Sequence, residues 1–162
     1  MCLEFTPNLL EINKTKIFLS TSNSSLKIYY LEKMKIEHLA IWVKDLEQMK
    51  NFYETYFDGT AGALYHNTTK HFKSYFLSFD TGCRLELMHR PIIPQNRNDL
   101  SKEYIGLIHF AISVGSKERV DALTEQLRAD GYEVAGEART TGDGYYESVV
   151  LDPEKNRIEI TV

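Results

Sequence analysis

The sequence predicts an α+β fold built from two tandem copies of one strand–helix–strand unit, and three observations carry that reading. Ile36-Glu37-His38-Leu39-Ala40-Ile41-Trp42-Val43 and Leu107-Ile108-His109-Phe110-Ala111-Ile112-Ser113-Val114 share His, Ala, Ile and Val at matching positions. Arg84-Leu85-Glu86-Leu87 and Arg157-Ile158-Glu159-Ile160 share Arg and Glu, and their other positions stay aliphatic. After each His-containing stretch the apolar period changes from 2 to about 3.6 and back to 2, in the same order both times.

The elements follow in turn. Residues 36–43 alternate, so Leu39, Ile41 and Val43 point one way and His38, Ala40 and Trp42 the other. Asp45 is placed to cap the next helix, with Gln48 positioned to reach back. Leu46, Met49, Phe52, Tyr53, Tyr56 and Phe57 recur at helical spacing, and Asp58-Gly59 ends the run. A weak strand is expected at 62–66. Longer strands at 75–79 and 83–89 flank the turn Asp80-Thr81-Gly82.

The second unit repeats the plan. Residues 106–114 alternate, with Ile108, Phe110, Ile112 and Val114 on one face and His109, Ala111 and Ser113 on the other. Ser116 caps a helix carrying Val120, Leu123 and Leu127, and Gly131 ends it. Strands are expected at 132–135, 145–151 and 157–162, the last two joined by Asp152-Pro153-Glu154-Lys155-Asn156. Module one therefore spans 35–90, a linker with Pro91 and Pro94 spans 91–104, and module two spans 105–162. Together they form one domain over 34–162. Residues 13–26 are rich in Ser, Thr, Asn and Lys without a clear period, and Ile17-Phe18-Leu19 is too short for a signal-peptide core. Residues 1–33 are read as a peripheral N-terminal extension, and Met34 is itself a candidate start.

Composition narrows the function. At 162 residues, 43% apolar and 26% charged, the chain suits one domain with a real core. A net charge of −4 without a Lys/Arg run argues against nucleic acid or an anionic membrane as partner. No apolar run approaches the roughly 18 residues of a membrane helix. Cys2 and Cys83 are too few for a thiolate cluster and are read as free thiols of a reducing, cytoplasmic compartment.

The facing of the residues points to chemistry. In each ligand-bearing strand the aliphatic side chains share one face, which helices can cover. His38, Glu86, His109 and Glu159 share the opposite face, where they line a cavity. Two imidazoles and two carboxylates suit one borderline divalent ion such as Zn, Ni, Co, Fe or Mn. Held mid-strand on a six-coordinate ion, four such ligands leave two positions for water or a small-molecule substrate. Taken singly, a strand His or Glu is as well explained by solvation or hydrogen bonding; the repetition in matching register favours the metal. Trp42, Arg84 and Met88 fall on the same face and either line the cavity or simply pack. Glu147, after the loop Thr140-Thr141-Gly142-Asp143-Gly144, either borders the cavity or belongs to a strand start. His66, His71 and His89 are placed outside the site.

The repeated units, and above all Asp152-Pro153-Glu154-Lys155-Asn156-Arg157-Ile158-Glu159-Ile160, resemble the vicinal oxygen chelate superfamily of glyoxalases, bleomycin-resistance proteins and dioxygenases. The resemblance covers 35–162. It implies two βαβββ modules forming an open, cupped mixed sheet around a metal, with helices on the outer face, and a homodimer. The order His38, Glu86, His109, Glu159 is similar to the ligand set of bacterial-type glyoxalase I. That likeness implies a lyase or isomerase that moves a proton next to a metal-bound carbonyl through an enediolate, with Glu159 as first-choice base and Glu86 as second. Two positions depart from the enzyme. Trp42 stands where it carries an Arg for the glutathione carboxylate, and Arg90 stands where it carries an Asn. The alternatives are an acyl-thioester epimerase of the same superfamily and a metal-free binding protein for a drug or metabolite.

Overall fold

The computed structural model describes residues 9–12, 15–22, 25–30, 34–100 and 102–162. The chain divides into two units, Met1–Ile36 and Glu37–Val162. In the first, β1 (Leu9–Ile12), β2 (Thr15–Ser22) and β3 (Ser25–Tyr30) form an antiparallel sheet in that order. The sequence reading found no element here. Residues of high strand preference such as Thr15, Ile17, Phe18, Ile28 and Tyr29 are present, but they do not alternate cleanly with polar ones.

In the second unit each module runs strand, helix, strands. Module one comprises β4 (His38–Trp42), α1 (Leu46–Phe57), β5 (Thr60–Ala61), β6 (Tyr65–Asn67), β7 (Phe72–Ser78) and β8 (Arg84–His89). Its sheet order is β4-β8-β7-β5, with β6 also on β7. Module two comprises β9 (Phe110–Ser113), α2 (Lys117–Ala129), β10 (Val134–Thr140), β11 (Tyr146–Leu151) and β12 (Arg157–Thr161), in the order β10-β11-β12-β9. In both, the first strand lies parallel to the last and the other pairs are antiparallel. The duplication read from the sequence is a duplication of topology, and the α+β class holds.

Local chemistry explains the helices. Asp45 accepts the Gln48 N–H, and Asp58 closes α1 in a left-handed conformation. Ser116 accepts the Arg119 N–H, and Gly131 takes φ 89° just past α2. Both helices press on the aliphatic faces, and one apolar cluster joins the modules through Met49, Phe52, Tyr53, Leu85, Leu87, Val120, Leu127, Ile158 and Ile160. Phe52 meets the rings of Tyr53, Tyr56, Phe57 and Tyr132 at 4.9–5.8 Å between centroids.

The turn that carried the resemblance fastens the modules together. Glu154 accepts the backbone N–H groups of Lys44 and Asp45, both at 2.8 Å, where β4 gives way to α1. Asp152, 1% exposed, accepts the Tyr53 hydroxyl at 2.9 Å. It also accepts the Glu154 and Asn156 N–H groups and the Asn156 Nδ2. This acidic turn is therefore a joint between the end of module two and the helix of module one.

Candidate metal centre

Register sets the open face of module one. His38 stands opposite Arg84, Ala40 opposite Glu86 and Trp42 opposite Met88 on the parallel pair β4 and β8. Period-2 geometry puts all six side chains on the side away from α1. His38 Nε2 lies 3.9 Å from Glu86 Oε2, and Glu86 is only 13% exposed. Module two repeats the pair: His109 Nε2 lies 3.3 Å from Glu159 Oε2, and Glu159 is 16% exposed.

The four residues expected as ligands thus come together as two pairs. One expectation needs correcting. His38 is the first residue of β4, and His109 lies one residue before β9, so neither is mid-strand; Glu86 and Glu159 are. The ladders explain it. The parallel registers start at His38–Arg84 and at Phe110–Ile158, so the residues before His38 and Phe110 lie outside the ladders.

The surroundings of the two pairs differ. Glu37 accepts from His38 Nδ1 at 2.5 Å and from Arg84, and these hydrogen bonds hold its carboxyl below the usual range. Arg84 lies over the Phe76 ring, 4.2 Å from its centre. In module two the matching arginine, Arg157, donates to the Leu100 carbonyl at 2.5 Å instead. Burial and the neighbouring Glu147 charge push Glu159 above the ordinary carboxylate range, against the opposing pull of His109. Glu147 is itself buried and receives Arg139 at 3.4 Å. It lines an open hollow with His109, Thr141, Asp143, Tyr145 and Glu159.

The other expected pocket residues are also located. Trp42 is exposed and meets the edge of Phe72 at 6.0 Å, and Phe72 meets Tyr65 at 5.9 Å. Met88 is half-buried beside it. His89 gives Nδ1 to the contact with the Val43 carbonyl at 3.0 Å, and His66 and His71 are exposed. The sequence reading missed Phe72 and Phe76, though alternation along β7 puts both on the open face. It also missed Glu37. No pattern signals it, because strict alternation would turn it away from His38.

The donors present suit a divalent ion. Nitrogen and carboxylate oxygen each bind such an ion at about 2.0–2.2 Å, so two donors of one ion lie at most about 4.4 Å apart, and both pairs meet that limit. Among the described residues no group of three or more His, Cys, Asp or Glu converges on one point. Each pair offers two donors.

Two βαβββ modules, each with an imidazole–carboxylate pair on its open face, define a paired-module type of α+β protein. The family model described as Glyoxalase/Bleomycin resistance protein/Dioxygenase superfamily matches residues 35–160, and the chain belongs to that superfamily. It is similar to YqjT of Bacillus subtilis (strain 168), a protein named as uncharacterized, at 27% identity over 132 residues, 77% of this chain and 96% of that one. Among solved structures it is similar to a glyoxalase family protein from Enterococcus faecalis (TM-score 0.64, 24% identity, 79% of this chain and 97% of that one). It is also similar to the trypanothione-dependent glyoxalase I of Leishmania major (TM-score 0.64, 20% identity, 80% of this chain and 86% of that one). These structural likenesses show the fold. No helix among the described residues is long and apolar enough to cross a membrane.

Proposed function

We propose that the chain is a metal-dependent lyase or isomerase of the glyoxalase I type, acting by proton transfer at a carbon next to a carbonyl. One observation carries the reading: the His–Glu pair is repeated on both open faces with Nε2 and Oε2 at 3.9 and 3.3 Å. His38, Glu86, His109 and Glu159 would hold the ion. When bound, a divalent ion supplies Lewis acidity to the substrate oxygen it meets. Glu159 is the base. It takes the proton from one carbon and returns it to the neighbouring one, and its raised affinity for protons suits both steps. Glu86 is the second candidate, and the two histidines serve as ligands only.

Because each chain presents two separate pairs, we place the full set in a homodimer, with the first pair of one copy meeting the second pair of the other. The half-buried free thiol of Cys83 supports a reducing, cytoplasmic setting.

The test is metal content by elemental mass spectrometry, on wild type and His109→Ala side by side. About one divalent ion per chain is expected in wild type, as a four-donor centre requires, with loss in the variant. No ion after incubation with Ni, Co, Zn and Mn would end the proposal. Glu159→Gln should then keep most metal and lose turnover, with hemithioacetals and acyl-thioesters tried in turn. The exposed Trp42–Phe72–Tyr65 wall favours one second reading, a binding protein for a planar drug or metabolite. That reading predicts tight ligand binding without metal.

A further inference from the structure

The two half-sites are not equivalent, and the difference lies in Glu37. Its Oε2 holds His38 Nδ1 at 2.5 Å, and its Oε1 receives Arg84 Nε at 2.9 Å and Arg84 Nη2. Arg84 stacks on Phe76, and Phe76 meets the His38 ring at 5.3 Å with the planes 88° apart. Glu37, Arg84, Phe76 and His38 thus close a ring of contacts around one imidazole. The ring is anchored to backbone, because the Arg84 N–H donates to the Glu37 carbonyl at 3.0 Å.

The chemistry of the contact decides the tautomer. An ionised carboxylate only accepts, so Nδ1 of a neutral His38 carries the hydrogen. Its Nε2 then presents a lone pair toward Glu86 Oε2, 3.9 Å away. Two acceptors facing each other across that gap leave a place for a cation. Among the described residues nothing comparable holds the second copy. Ile108 precedes His109, and Arg157 is turned to Leu100. Glu37 is an addition to one half of a duplicated site.

We infer that Glu37 is a positioning residue of the metal centre: it fixes the tautomer and ring orientation of His38, so that Nε2 is presented as a ligand beside Glu86. The inference rests on the metal reading given above. Glu37 is 53% exposed, and exposed ion pairs add little stability, so its effect should fall on the ring and the ion rather than on folding.

The experiment has two readouts on wild type, Glu37→Ala and Glu37→Gln. Nitrogen-15 NMR of the metal-free protein reports the His38 tautomer, and calorimetric titration with Co²⁺ reports affinity. Wild type should show the Nδ1–H form, and Glu37→Ala should mix the two forms and weaken Co²⁺ binding about 10- to 100-fold. Glu37→Gln should lose less, because its amide oxygen still accepts from Nδ1–H. Unfolding midpoints should stay unchanged. An Nε2–H form in wild type, or a tautomer and affinity untouched in Glu37→Ala, would overturn the inference. If wild type takes up no Co²⁺, the metal reading fails and the inference with it. The tautomer would still report whether Glu37 sets the ring.

Discussion

Replacing Tyr53 with Phe removes one hydroxyl at the joint between the modules. The ring is fully buried and its hydroxyl donates to Asp152 at 2.9 Å. A hydrogen bond to a charged group contributes about 1.5–3 kcal/mol. Asp152 keeps three other donors, the N–H groups of Glu154 and Asn156 and the Asn156 side chain. The carboxylate is therefore not stranded, and the lower end of that range applies, about 1.5–2 kcal/mol. For a domain of this size that corresponds to a fall in Tm of about 5–8 °C. Burial already pushes Asp152 above its ordinary value of 3.8, and the Tyr53 bond pulls it back. A raised folded value means that the folded state binds the proton more tightly, so stability falls as pH rises from the unfolded value through the folded one. Tyr53→Phe raises the folded value further, so its cost should be larger at neutral pH than in acid, where the carboxyl is protonated in both states. The assay is urea unfolding of Tyr53→Phe, Asp152→Asn and the double variant at both pH values. A loss below about 0.5 kcal/mol, or a coupling near zero in the cycle, would refute the joint.

Mixing His38→Ala with His109→Ala, under conditions that exchange subunits, should restore about one quarter of the metal sites, read by elemental mass spectrometry. No recovery would place both pairs of a site within one chain. Glu147→Gln removes the second of the causes that raise Glu159, so in metal-free protein the Glu159 carboxyl should titrate closer to 4.5 by carbon-13 NMR. Glu159 in wild type costs stability as pH rises from 4.5 through its raised folded value, and the variant should lose part of that dependence; an unmoved midpoint would refute the pairing. Removal of residues 1–33, leaving a chain that begins at Met34, should remove the signal of β1–β3 and preserve cooperative thermal unfolding and metal uptake. Insolubility of that shorter chain would overturn the reading of the segment as an extension.

Period-2 alternation made the faces of β4, β8, β9 and β12 legible, because one face of each is covered by a helix and only apolar residues serve there. The helix ends were legible for a similar local reason: Asp45 and Ser116 cap within three residues of themselves. Strand ends were not. A ladder stops where its neighbour stops, and Leu107 and Ile108 alternate as a strand would without a partner to pair with. Gly106 at φ 129° breaks the extended run as well. β10 eluded the same logic. It runs on to Thr140 through two register shifts against β11, and such irregularities disturb the period that sequence reading relies on.

Those unread strand ends are where the two halves of the site diverge. A residue inside a ladder is bound to alternate, so duplication copies its facing with its type, as with Glu86 and Glu159. A residue just before the ladder is free of that rule. Glu37 uses the freedom to turn back onto the ring of its own neighbour, while Ile108 at the matching position stays exposed. The second half varies at another place, on β11, where Glu147 stands diagonal to Glu159 across the register Val149–Glu159 and Glu147–Thr161. There a second carboxyl raises the proton affinity of the first. One half thus holds an imidazole held by Glu37, and the other holds a carboxyl with a raised affinity for protons. In the proposed reaction that division would leave Glu159, rather than the clamped His38, to act as the base.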